Sequence, residues 1–510
     1  MSRIGAFVRP IIVAPVVAMA IGGAFAGGRW YERRAALAHD EWADARLLST
    51  AIDSVRANAL DSLPGDELIR RAVSGMLREL QDPYAALLRP DGFERYTGSL
   101  QGQGRGLGLV LRREPDGYRV VRVVPGSPAL AAGIRAGDRV LAADGIPVTT
   151  EGSDAARRRD STRLSSSRVV LTMWRAPHGD TAQVTMQRTP WHMPAIAEQG
   201  LVADSVGYVR LSTISAQAAD ELEGAVTAQL TRGARSLVLD LRGNAGGLFE
   251  EGVRVAGLFL PKGAVVASLA GRGGAEAQPH RVRHSRWTDL PITVLVDGRT
   301  ASAAEVIAAA LHDHGRALLV GTPTYGKGLV QRVVRLSPEL SLRLTTARWL
   351  TPRGIALERH SGEGTTARGG LVPDVLLDEA VRRDPHGVPE GWSARAARRV
   401  TEAADRVAMH ALREGWAVRP TILLEARLRD SLAVLVPPAV RGEQARVEWM
   451  HVATRMATVR VLEVVHDMEA LLRYGAREDA ALRAGVDVVA PGTELSPSAP
   501  SSLTGSKPRR

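Results

Sequence analysis

Apolar positions recur at helical spacing from about Ala36 to Leu88, and Ile69, Ala72, Met76, Leu77 and Leu80 mark one face of a helix with Asp66 as its candidate N-cap. Asp82-Pro83 should end that helix, since proline disfavours helical backbone in the residue before it. At Gln101 the pattern changes. Four glycines fall between Gln101 and Gly108, and short β-rich runs follow at Leu109 to Leu111, Tyr118 to Val124, Arg139 to Ala142 and Val169 to Trp174. They predict a compact, mostly β module. Strand and helix patterns then alternate: strands at Val206 to Leu211, Ser236 to Leu241, Ile292 to Val296 and Leu318 to Gly321, helices at Ala218 to Leu230, Glu251 to Phe259 and Ala303 to Asp313. Such a βαβ rhythm predicts an α/β domain with a largely parallel central sheet, whose function sits on loops at strand ends. From Ala394 to about Ala484 the spacing is helical again, and beyond Pro491 Ser, Pro, Gly and Thr predict a disordered tail. The fold class is therefore α/β multidomain: an N-terminal helical region over 36–100, the β module over 101–190, an α/β core over 191–376, a C-terminal helical domain over 377–489 and a tail over 490–510.

Ahead of all this, within residues 1–35, the stretch from Ile11 to Ala26 is uncharged and apolar, with Arg3 and Arg9 before it and Arg29, Arg33 and Arg34 after it. It reads as an export signal or a membrane anchor. Ala24-Phe25-Ala26 resembles a cleavage site, and at roughly 16 to 19 residues the stretch is short for a span, so both fates stay open. Either one carries the rest of the chain across the membrane, to the periplasm or cell envelope.

The 510 residues contain no cysteine, which excludes disulfides, thiolate metal sites and cysteine nucleophiles. The net charge is +11, but its arginines are scattered rather than gathered into a stripe with aromatics, so a nucleic-acid partner is not expected. Of the 66 basic side chains only Lys262, Lys327 and Lys507 are lysine. Arginine does not lose its proton in a protein, whereas a desolvated lysine can. A lysine kept inside such a chain suggests a task arginine could not perform.

Three segments carry candidate chemistry. The first is Leu237 to Gly247, a buried strand running into a glycine-rich turn whose amides could face an anion, or simply connect strand to helix. In the second, Asp297 to Glu305, Ser302 opens a helix between alanines. In isolation Ser302 reads first as a helix cap; the sharper reading is a nucleophile on a strand-to-helix turn, with the Ala303 amide facing an oxyanion. The third is Thr324 to Gln331, where Lys327 sits between two glycines and Gln331 could hold its amine. A neutral lysine can activate a serine, at a cost of about 3 to 4 kcal/mol to bring its pKa near neutrality. His312 is no substitute base, because ten helical residues place it about 15 Å along the axis from Ser302. No HExxH or comparable metal-ligand cluster occurs, so neither metal nor cofactor is expected.

With these residues in view, the chain resembles the C-terminal processing peptidases, or tail-specific proteases. The resemblance runs from about Ala72 to Val375 and rests on Ala72 to Leu77 with Leu80 and Asp82-Pro83-Tyr84, a glycine-rich PDZ opening, Leu239 to Asn244 with Gly246-Gly247, Thr300 to Glu305, Tyr325 to Gly328 with Gln331, and Gly370 to Asp374. It implies a serine endopeptidase that cleaves exported or misfolded proteins near their C-termini. Ser302 would be the nucleophile, Lys327 the base and Gln331 its orienter, with Ala303 and Gly246 or Gly247 forming the oxyanion hole. It also makes the β module a PDZ domain, in which Leu107, Gly108 and Leu109 capture a substrate's terminal carboxylate while the chain adds as a strand to the sheet edge. Ala301, Ala304 and the bulky Arg299 depart from the family's pattern and bear on specificity or gating. The competing expectation is a catalytically silent scaffold that binds protein C-termini in the envelope. The apolar faces after Ala394 suggest a homo-oligomer.

Overall fold

The structure is a computed structural model that describes residues 43–61, 63–104, 106–114, 117–148, 167–176, 179–274, 276–358, 369–377, 392–418, 421–465 and 467–491. The segment read as an export signal or anchor, and all but the first two residues of the tail, lie outside them. Two compact units divide at Leu87/Leu88. In the first, residues 43–58 are helical, and a second helix, α1, spans Gly65–Glu79. Pro64 holds the N-cap position of α1, so Asp66 is not the cap. It lies with Glu67 in the first turn, where negative charge suits the helix dipole.

The second unit opens with α2 (Pro90–Leu100) and passes into the PDZ-like module. There β1 (Leu109–Glu114), β2 (Gly117–Val123), β3 (Arg139–Ala143), β4 (Arg168–Trp174) and β5 (Thr181–Gln187) pair antiparallel in chain order, with the short helix α3 (Pro128–Ala131) between β2 and β3. Alternate residues of β4, Val169, Leu171 and Met173, point inward on Val120, Ile134 and Val140. Strand β1 forms one edge of this sheet.

The core is a six-stranded sheet of β6 (Ile196–Ala203), β7 (Val206–Leu211), β8 (Ser236–Asp240), β11 (Ile292–Val296), β12 (Leu318–Gly321) and β15 (Val375–Leu376), in that spatial order. Only β6 runs antiparallel to its neighbour. Each parallel step needs a crossover, and α4 (Ala218–Thr231), α5 (Phe249–Gly257) and α6 (Ala303–Asp313) supply the helical ones. Between α5 and β11, and again after β12, the chain builds a side sheet of β9 (Val265–Ala270), β10 (Gln278–Arg281), β13 (Leu329–Arg335) and β14 (Ser341–Leu350), ordered β13-β14-β9-β10.

Side chains alternate across the central sheet because successive strand residues face opposite ways. Leu237, Leu239, Val294 and Val296 pack on α4 to α6. Tyr208, Val238, Leu295 and Val320 face the other side, where they meet Leu472, Leu482 and Val486. These last belong to α10 (Met468–Glu478) and α11 (Ala480–Val489), so the end of the predicted helical domain covers the core sheet. The preceding helices, α7 (Ala394–Arg413), α8 (Thr421–Ala433) and α9 (Glu443–Val464), have their own core around Leu424, Leu428 and Trp449. Trp174 and Ala176 of the PDZ-like module pack against it.

Candidate active site

Strand β8 is buried at every position and delivers Asp240 and Arg242 to the mouth of the sheet. Asp240 Oδ1 accepts from the Arg242 amide at 2.9 Å and Oδ2 from Arg242 Nη2 at 2.6 Å, while the Tyr208 hydroxyl donates to Oδ2 at 2.8 Å. Burial pushes the Asp240 carboxyl up, but Arg242 and Arg210 outweigh it and hold the group below its ordinary range. Beyond Arg242 the chain turns sharply. The Gly243 amide donates to Asp297 Oδ1 at 2.9 Å, and Asn244 ties the turn to its neighbours by donating to Leu211 O and accepting from the Ala301 amide. Gly246 has φ +93, and a Cβ there would sit 2.7 Å from Ala301 O and 2.9 Å from Ala303 N. Only glycine lets the turn lie this close against Ser302.

Ser302 itself has φ +56 and ψ −123, a backbone state that L-residues rarely adopt and that costs on the order of 1 to 3 kcal/mol. The sequence alone favoured an ordinary cap, whose backbone would be extended. Here Ser302 does occupy the N-cap position of α6 and makes a capping box with Glu305, but with a left-handed backbone in place of an extended one. The Ser302 amide donates to Glu305 Oε2 at 2.8 Å, one half of that box.

Glu305 is fully buried and is the hub of the site. Its Oε2 also accepts from the Lys327 amide at 2.9 Å, and its Oε1 accepts from the Gly326 amide at 2.7 Å and Thr324 Oγ1 at 2.6 Å. The backbone nitrogens of Ser302 and Lys327 are thus no farther apart than two hydrogen bonds laid end to end. Burial raises the Glu305 carboxyl above its ordinary range against the pull of these four donors. The Lys327 loop is anchored on its other side too. Trp349 Nε1 donates to Lys327 O at 3.0 Å, and Thr324 exchanges two hydrogen bonds with Leu371.

Of the expected oxyanion donors, Ala303 is the first residue of α6 beside Gly246. The Gly246 amide already donates to Asn244 Oδ1 at 2.9 Å. The two hydrogen bonds of the adjoining Ile214–Gly247 bridge use Gly246 O and the Leu248 amide, and leave out the Gly247 amide. Gln331 lies at a bulge in β13, and its Nε2 is buried without a hydrogen-bond partner, so the expected hold on the lysine amine is not made through that atom. His312 turns away to Asp374 at 3.3 Å. Arg299 is largely exposed, with its guanidinium beside Gly243.

In the PDZ-like module Leu107 is buried, Leu109 begins edge strand β1, and Gly108 has φ +79 with Ser127 Cβ 2.0 Å from where a Cβ would stand. The loop therefore demands glycine there. Sequence reasoning placed Glu305 in a motif without giving it a task. The serine-x-x-glutamate spacing of a capping box was the available signal. Trp349 and Asp479, which pairs with Arg242 at 2.7 Å, carried no local signal at all.

Residues 205–376 match peptidase family S41, and residues 119–160 match a PDZ domain. The chain is 37% identical over 324 residues to the carboxyl-terminal-processing protease of a Picosynechococcus species, covering 62% of this chain and 73% of that protein. It is 35% identical over 315 residues to the protein of the same name from a Synechocystis species, covering 60% and 70%. A solved photosystem II D1 C-terminal processing protease is 30% identical with a TM-score of 0.39, covering 68% of this chain and 92% of that one.

Proposed function

Because this chain belongs to the carboxyl-terminal processing proteases of peptidase family S41, we propose that it hydrolyses polypeptides near their C-termini with a Ser302/Lys327 dyad. The observation that carries the reading is the Glu305 carboxylate, which binds the amides of both residues and so joins two loops 25 residues apart in one rigid arrangement.

In this mechanism Lys327 Nζ in its neutral form takes the proton of Ser302 Oγ as the oxygen attacks the scissile carbonyl. The amides of Ala303 and Gly247 stabilise the oxyanion. The lysine then gives its proton to the departing amine, and the C–N bond breaks to leave a seryl ester. Water, deprotonated by the Lys327 amine, attacks the ester; the Oγ–C bond breaks, Ser302 Oγ takes that proton back, and the new C-terminus is released. The PDZ-like module selects substrates by their terminal carboxylate at Leu107, Gly108 and Leu109, with the substrate strand added along β1.

Purified Ser302→Ala and Lys327→Met proteins should lose turnover of an unfolded substrate by at least about a thousandfold while keeping wild-type melting temperatures. Wild-type kcat should climb with pH as the lysine loses its proton. Retained turnover in either variant, or a flat profile, would remove the dyad. The segment from Ile11 to Ala26 supports an exported protein, cleaved or anchored. No helix among the described residues is long and apolar enough to cross a membrane. Recovery of the full-length chain from the cytoplasmic fraction would contradict export.

A further inference from the structure

We infer that Asp479, contributed by the joint between α10 and α11, is a positioning residue for the oxyanion turn; the inference rests on the function proposed above. The guanidinium of Arg242 is held on two sides. Its Nε and Nη2 face Asp240 at 3.0 and 2.6 Å, and its Nη1 faces Asp479 Oδ2 at 2.7 Å and Oδ1 at 3.0 Å. Arg242 is the residue from which the turn departs toward Gly243, and five residues on lies the proposed donor, the Gly247 amide.

Asp479 is itself rigidly placed. It is the last residue before α11 and caps that helix, with Oδ1 accepting from the Ala481 and Leu482 amides at 3.0 and 3.1 Å. Helix α11 is seated on the sheet by Leu482 and Val486, and at Gly485 a Cβ would lie 2.8 Å from Leu295. A carboxylate fixed to the outer face of β8 and β11 thus reaches round the sheet end to brace the turn lying against Ser302. Asp240 alone would leave Nη1 without this anchor, and the side chain could then swing with the strand end. The residue comes from outside the segment 205–376 that matches the peptidase family, so the peptidase core takes part of its alignment from the C-terminal helices.

Two substitutions separate the brace from the cap. Serine at 479 can still cap α11 but is too short to reach Arg242; asparagine can cap and reach but carries no charge. In the full-length protein, Asp479→Ser should lower kcat about tenfold with KM for an unfolded substrate within about twofold, because a displaced oxyanion donor is felt only in the transition state. Asp479→Asn should fall between it and wild type, the pH profile of kcat should keep its midpoint in both, and neither melting temperature should move by more than about 3 °C. Wild-type kcat in Asp479→Ser, or a loss of kcat that scales with a loss of melting temperature across the two variants, would overturn the inference. Turnover by Ser302→Ala would instead overturn the proposed function, whatever Asp479 does.

Discussion

Glu305 accepts four hydrogen bonds and has no exposed surface, so its two oxygens cannot be exchanged for anything that donates. Glu305→Gln keeps the shape but turns an NH2 toward amide donors, which should cost about 1 to 3 kcal/mol of stability and most of the activity. The effect carries a pH signature. Because burial raises the folded carboxyl above 4.5, the folded protein binds the proton more readily than the unfolded chain, and this group's contribution to stability falls as the pH rises through that window. Melting curves should therefore show the gap between wild type and Glu305→Gln narrowing as the pH is raised from below 4.5. A gap that widened would mean that the carboxylate is held by its donors more strongly than burial opposes it. Ser302 teaches a different lesson at this scale. Its residue type read as a helix cap, which it is, and only the backbone torsion shows that the turn holds it in a left-handed state that an ordinary cap does not adopt.

Among the elements, β7, β11, α6 and β12 were legible to the residue, since uninterrupted or alternating apolar runs bounded by turn signals leave few alternatives. The side sheet was not. Its strand β10 reads Gln-Pro-His-Arg and is mostly exposed, so no hydrophobic period announces it. Helices α10 and α11 were legible as helices but not as the second cover of the central sheet. Periodicity shows that a helix has an apolar face and is silent about what that face meets. The buried Asp240 explains part of what local reading missed. It sits on the outer face of β8, and its partners Tyr208 and Arg242, with Asp479 beyond them, come from three separate segments.

At the scale of the molecule, the helices after Ala394 bind two domains at once. Asp405 of α7 accepts from Arg119 of β2 at 2.6 Å and lies 2.5 Å from Arg460 of α9, and both arginines are almost wholly buried. Removing a carboxylate shared by two buried cations is among the more damaging changes a core can suffer. Asp405→Ala should cost about 3 kcal/mol, and hydrogen exchange should rise together in β2, α7 and α9; exchange confined to α7 would mean that the PDZ-like module is held by other contacts. The cover that α10 and α11 lay on the central sheet also sets an order in time. A ribosome finishes β6 to β15, with Ser302 and Lys327 already synthesised, well before it reaches Met468. Until then the outer face of the sheet, with Val206, Tyr208, Val238, Leu295 and Val320, has no lid, and Arg242 lacks Asp479, its proposed brace. On the function and the brace proposed above, a chain whose final helices have yet to fold back is therefore a slower peptidase than the finished protein.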